Sequence, residues 1–100
     1  MYIAMNRFRI GAGHDEAFLE RWRNRNSKLN EVPGFQRFWL LRAEGQFVSM
    51  SQWESRAAFE AWTQSEAFRV AHSSSGPPPS GMYIAAPELT TYEVELSLER

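Results

Sequence analysis

The sequence predicts an α+β fold with the element order β-α-β-β-α-β, the ferredoxin-like arrangement. Residues 2–10 and 89–98 alternate with the two-residue period of a strand, and 35–42 and 46–53 are β-rich runs joined by a short turn signal. Between the outer pairs lie stretches with helical spacing and helix-start signals. With 100 residues the chain is expected to form one domain, residues 1–100, around a single core.

In the first strand Tyr2, Ala4, Asn6, Phe8 and Ile10 share one face, and Ile3, Met5, Arg7 and Arg9 share the other. Gly11 and Gly13 break it. From about His14 to Leu29, the positions Phe18, Trp22, Arg25 or Asn26, and Leu29 make one helical stripe. Asp15 and Glu16 suit its first turn and Lys28 its last, as the helix dipole prefers. Pro33-Gly34 signals a turn. The runs 35–42 and 46–53 are linked by Ala43-Glu44-Gly45, a tight hairpin. Ser55 is the expected N-cap of a helix carrying Ala58, Phe59 and Trp62. Thr63-Gln64-Ser65 interrupts it, and Ser65 recaps a second piece reaching about His72. Residues 73–88 are rich in Ser, Gly and Pro; three consecutive prolines exclude helix, and a flexible loop is expected. In the last strand Tyr92, Val94, Leu96 and Leu98 face one way and Thr91, Glu93, Glu95 and Ser97 the other.

Both helical stretches are expected on one side of the sheet, leaving the other side bare. The first two strands are apolar on both faces: Ile3 and Met5 oppose Ala4 and Phe8, and Phe38 and Leu40 oppose Phe35, Trp39 and Leu41. A bare apolar face calls for a partner, and a two-fold dimer is the commonest one.

Composition removes several function classes. The formal net charge is −1, from 11 cations and 12 anions, which argues against a nucleic-acid binder. With no cysteine, disulfides, thiolate nucleophiles, iron–sulfur clusters and Cys-based zinc sites are excluded; a cytoplasmic location is the expectation. No stretch approaches the ~20 apolar residues of a membrane span, and the N-terminus does not read as a signal peptide. Phosphate-loop, flavin and nicotinamide motifs and a nucleophile elbow are missing as well. Four Trp and seven Phe in a small chain serve either a bulky core or a flat apolar ligand.

A few residues have two readings. Asn6 sits mid-strand among apolar neighbours, either satisfied by backbone or presenting its amide to a cavity. Arg21 and Arg25 flank Trp22 on the first helix, as a solvated basic face or a landing site for an anion. His72 ends a helical piece four residues after Phe68, where the dipole favours it; alternatively it is the lone protein ligand of a metal carried inside a cofactor, haem above all. Trp62 is a core tryptophan, or it shares one cavity with His72 across the break at 63–65.

Together these residues resemble the antibiotic biosynthesis monooxygenase superfamily, and within it the IsdG-type haem-degrading monooxygenases. The motifs are Met5-Asn6-Arg7, Arg21-Trp22-Arg23-Asn24-Arg25, Pro33-Gly34-Phe35, Trp53-Glu54-Ser55, Ala58-Phe59-Glu60-Ala61-Trp62 and the segment from Ser65 to His72. The set of Asn6, Trp62 and His72 is the specific part. The resemblance implies a dimeric α+β barrel with one haem per subunit. His72 would be the proximal iron ligand. Asn6 would donate a hydrogen bond on the distal side of the iron. Trp62 would press on the porphyrin and ruffle it. Arg21 and Arg25 would lie near the propionates, with Trp22 and Phe68 among the aromatic walls. The loop 73–88 departs from the family in length and composition.

The activity this implies is oxygen-dependent cleavage of haem to a linear tetrapyrrole with release of iron, with electrons from an external reductant. A cofactor-independent monooxygenase of an aromatic polyketide or quinol would use Asn6 and Trp62 but not His72. A haem-binding dimer without turnover is the third reading.

Overall fold

The computed structural model describes all residues except Asn26, Ser74 and Ser75. Strands β1 (Tyr2–Arg9), β2 (Phe35–Ala43), β3 (Gln46–Trp53) and β4 (Glu88–Glu93) form one sheet in the order β2-β3-β1-β4. Every neighbouring pair is antiparallel. Helix α1 (Asp15–Arg23) connects β1 to β2, and α2 (Arg56–Thr63) and α3 (Glu66–Ser73) lie between β3 and β4. This is the predicted ferredoxin-like order, with the second helical stretch broken in two where Thr63-Gln64-Ser65 was expected to break it.

Serines set both later helix starts. The Ser55 hydroxyl accepts from the Ala58 N–H at 3.1 Å, and the Ser65 hydroxyl accepts from the Phe68 N–H at 3.2 Å. Such caps satisfy an orphan donor of the first turn and contribute about 1 kcal/mol each.

Three expectations change. First, α1 ends at Arg23, and the chain returns to the core through a single 3-10 turn at Leu29–Glu31. The helical stripe to Leu29 therefore does not continue: the Arg25 side chain turns instead onto Trp22 and the Ala71 carbonyl. Second, a bulge between Phe35 and Arg37 shifts the register of β2. Phe35 pairs with Trp53 and packs among the core residues, so it shares a face with Phe38 and Leu40 rather than with Trp39 and Leu41. Third, β4 stops at Glu93, which pairs with Tyr2. Past it the Val94 N–H donates to the Met1 carbonyl at 3.0 Å.

The helices cover one face of the sheet. At one end of that face Phe8, Ile10, Phe18, Phe47 and Met82 form a buried cluster; at the other end Tyr2, Ala4, Trp53 and Phe59 form a second. The connection 73–88, expected to be a flexible loop, contributes Met82 to the first cluster with no exposure at all. Tyr83 bridges Ile10, and the Ile84 N–H donates to the Arg9 carbonyl at 3.1 Å. Gly11 permits this approach, because a β-carbon there would collide with the Gly81 carbonyl oxygen.

The opposite face carries Met5 beside Met50, Arg7 beside Val48, and Trp39 beside Met50 in the register. Leu41 and Tyr92 on this side are 42% and 48% exposed, large for apolar side chains on a sheet.

Candidate functional site

Between the two packed ends, the helix-covered face is hollow. The register sets Asn6 beside Ser49 on β3 and Leu89 on β4, and Ala4 beside Ser51. Asn6, Ser49 and Ser51 are short, where Phe8, Phe47 and Trp53 further along the same face are aromatic. The helices bridge the gap instead of filling it, leaving a cavity of about 650 Å³, within the ~300–1,000 Å³ of small-molecule sites. Asn6, Trp22, Arg21, Arg25, Trp62, Phe68 and His72 all line it, so every residue singled out in the sequence meets at one place.

Asn6 presents a polar atom without a partner. Its Oδ1 is buried and accepts no hydrogen bond. Buried polar groups are nearly always paired, so an orphan on a residue that lines a cavity marks that residue as a candidate for ligand contact. A half-turn of the amide exchanges Oδ1 for Nδ2, so this position offers an acceptor or a donor without titrating.

His72 is fixed in a tautomer. Its Nδ1 lies 2.8 Å from the Phe68 carbonyl, which only accepts, so Nδ1 carries the proton and Nε2 keeps the lone pair. The ring lies on Phe68 at 3.8 Å between centroids and 6.1 Å from Trp62. Partial burial lowers its pKa; the Phe68 carbonyl opposes this, and the Arg25 charge adds to the lowering. Its remaining exposed edge borders a shallow depression formed with Thr63, Gln64 and Arg69. Among the described residues no three His, Cys, Asp or Glu side chains gather as a metal site. A neutral imidazole with a free Nε2 suits a metal that arrives with its other ligands in place.

Trp62 joins the cavity to the core. It packs on Trp53 at 5.2 Å and meets the Phe68 edge at 4.8 Å. Trp53 is itself held by its indole N–H donating to the Ser51 hydroxyl at 2.9 Å. On the other side Trp22 stacks on Phe38 at 5.6 Å, and the Arg25 guanidinium lies 4.4 Å above the Trp22 ring. Arg25 Nε donates to the Ala71 carbonyl at 3.0 Å, tying α1 to the turn of α3 that carries His72. Arg21 is engaged differently: its Nη2 and Nη1 donate to the Gly76 and Pro77 carbonyls at 2.8 and 3.4 Å, holding the first part of the connection.

Sequence reasoning missed Tyr83, Ser49, Ser51 and Leu89, which also line the cavity. The signal for Tyr83 was the short apolar run Met82-Tyr83-Ile84 inside an otherwise polar, proline-rich stretch.

The model of the antibiotic biosynthesis monooxygenase family matches residues 1–74. The chain belongs to this family. A haem-degrading monooxygenase of Shouchella clausii is 35% identical over 96% of this chain and 92% of its own length. A staphylobilin-producing haem oxygenase of Staphylococcus saprophyticus is 31% identical over 72% of this chain and 73% of its own. Among solved structures, the haem degrader MhuD of Mycobacterium tuberculosis, with two haems bound in its active site, superposes with a TM-score of 0.77 at 26% identity, covering 99% of this chain and all of that one. The antibiotic biosynthesis monooxygenase match includes Asn6, Trp62 and His72 but stops before the second half of the connection and β4. Tyr83 and Leu89 thus belong to the part of the cavity that the family model does not describe.

Proposed function

We propose that this protein is a haem-degrading monooxygenase that opens the macrocycle to a linear tetrapyrrole and releases iron. The observation that carries the reading is one apolar cavity with an orphaned Asn6 amide and a tautomer-fixed His72 in its walls. The haem-degrading relatives support the substrate. The residues present fit haem. His72 Nε2 is the ligand for the iron, Trp62 and Phe68 supply aromatic surface for the macrocycle, and Trp22 supplies the same from α1. Bound haem supplies both the iron at which dioxygen reacts and the carbon skeleton that is oxidised. Asn6 holds its amide toward the reacting side, where a fixed neutral donor stabilises developing negative charge. Arg21 keeps the connection seated over the cavity, and Arg25 places one positive charge at its wall.

Electrons come from an external reductant, in keeping with the absence of a flavin or nicotinamide motif, and a cytoplasmic location suits that supply. A homodimer formed through the open sheet face covers Met5, Val48, Met50, Trp39 and Leu41 and completes the barrel. No helix among the described residues is long and apolar enough to cross a membrane.

Titration of the purified protein with ferric haem tests the reading. The expected result is a Soret band of a histidine-ligated haem that decays under reductant and oxygen with release of iron. In His72→Ala that ligation signature should vanish while the far-UV CD is retained. A stable Soret band under turnover conditions would leave a haem carrier. No binding would leave the cofactor-independent oxygenase.

A further inference from the structure

The cavity carries charge of one sign. Arg21 and Arg25 both line it, and no Asp or Glu is among its described lining residues. Tyr83 stands in the same wall, its ring against Phe8 at 6.2 Å and edge-on to Phe18 at 6.0 Å. Its backbone is fixed by the bridge to Ile10, and the fully buried Met82 anchors the residue before it. Tyr83 is therefore held to the cavity wall by the residues around it. A phenol in a cavity wall usually finds a hydrogen-bond partner, yet among the described residues none is present for its hydroxyl. Arg25 is the cation that feels it: burial lowers the Arg25 pKa, and Tyr83 acts in the opposite direction. Arg25 has Nε committed to Ala71, and its two terminal nitrogens carry the remaining donors of this cavity-lining side chain.

We infer that Tyr83 and Arg25 form a two-donor clamp for a carboxylate of the ligand, making Tyr83 a specificity-determining residue for porphyrins bearing free acids. A carboxylate only accepts hydrogen bonds, a guanidinium only donates them, and a phenol O–H in the same cavity wall can donate alongside it. The apolar floor of Phe8 and Trp22 takes the flat ring, and the clamp takes the acid at its edge. Tyr83 lies beyond residues 1–74, the part of the chain that the family model matches.

The inference rests on the haem reading, and one experiment separates the two. Ferric haem and its dimethyl ester are titrated into wild type, Tyr83→Phe and Arg25→Gln, following tryptophan fluorescence and the Soret band. Wild type should bind the free acid about tenfold or more tighter than the diester, the size of a hydrogen bond to a charged group. Tyr83→Phe should lose most of that preference through weaker binding of the acid, with diester affinity and Soret position unchanged. Its KM for haem should rise with kcat preserved. A purely structural role for Tyr83 would weaken both ligands equally and keep the ratio; that result overturns the clamp. Binding of neither porphyrin by wild type would overturn the haem reading itself and the clamp with it.

Discussion

The packed ends of the helix-covered face and the hollow between them are made by the same strands, on the same side of the sheet, two residues apart. At the Phe8 end, β1 and β3 place Phe8 beside Phe47, and α1 drops Phe18 onto both, 5.3 and 4.7 Å away between ring centroids. At the Trp53 end, Tyr2 pairs with Trp53 under Phe59. In the middle, Asn6, Ser49 and Ser51 put short side chains in the cavity wall. Phe18, Phe47 and Trp53 thereby serve packing alone, while Phe8 and Phe59 belong to the packed ends and also line the cavity. The aromatic ends hold the sheet and helices together, so the centre can remain empty without collapse, because interiors densely packed on both sides relax only partly.

The packed ends are broken most severely at Phe18, which has no exposure. Phe18→Ala should cost about 3–5 kcal/mol of folding stability, read as a lowered urea midpoint at constant slope. It should affect haem affinity only as far as it unfolds the protein. Loss of less than about 1 kcal/mol would mean that the cluster does not carry the fold. Asn6→Ala is the counterpart in the hollow. Removing an unpartnered buried amide leaves no broken bond behind, so the urea midpoint should hold or rise. Turnover should fall by an amount equivalent to about 2–4 kcal/mol of transition-state stabilisation, in the range of an oxyanion donor. Single-turnover decay of the Soret band measures it, and near-normal decay would return Asn6 to a structural part.

A second contrast, between the covered and the open face, gives a smaller effect. Trp39 sits on the open face under the Arg37 guanidinium at 4.7 Å. If that face is the dimer interface, Trp39→Ala should weaken association by about 30-fold or more, as for a hot-spot aromatic. Analytical ultracentrifugation over a dilution series gives the number. An unchanged sedimentation profile would move the interface elsewhere.

Much of this division was legible in the residues, for physical reasons that also explain what was not. Strand period and serine caps are local signals, and the strands and the helix starts at Ser55 and Ser65 follow from them. The ends of elements depend on partners. Helix α1 stops early because Arg25 finds Trp22 and the Ala71 carbonyl, contacts separated by 46 positions in the second case. The bulge that turns Phe35 inward reflects the demand of Trp53 for an edge-on neighbour, 5.5 Å away. Strand β4 ends where β1 begins, which no pattern inside 89–98 encodes. Asn6, Trp62 and His72 stood out because each is an odd residue in its element. Tyr83 did not, because the apolar run Met82-Tyr83-Ile84 marks a segment that packs but not the wall it joins. Ser49 and Ser51 act by being small, and small residues in a strand attract no notice until the space above them is seen.

The finest test of the contrast between packed ends and hollow is the pH dependence at His72, which leans on Phe68 and Trp62 but keeps an exposed edge. Its folded pKa lies below the ordinary histidine value, through partial burial first and the nearby Arg25 charge in addition. As pH falls, the unfolded chain therefore takes up the proton before the folded one, and stability declines with falling pH. The contribution is fully present above the unfolded value of about 6.5 and is lost once pH has passed below the folded value. Because the imidazole is only partly desolvated, the effect should be smaller than those at Phe18, Asn6 and Trp39. Urea midpoints at several pH values between 7.5 and 5 should therefore fall slightly more steeply for wild type than for His72→Gln, with the groups common to both proteins cancelling in the difference. Haem affinity should drop over the same interval, since a protonated Nε2 has no lone pair to give the iron. Equal slopes in the two proteins would show that His72 is not held neutral by its surroundings, and the fixed tautomer seen against the Phe68 carbonyl would then be a feature of geometry without consequence for binding.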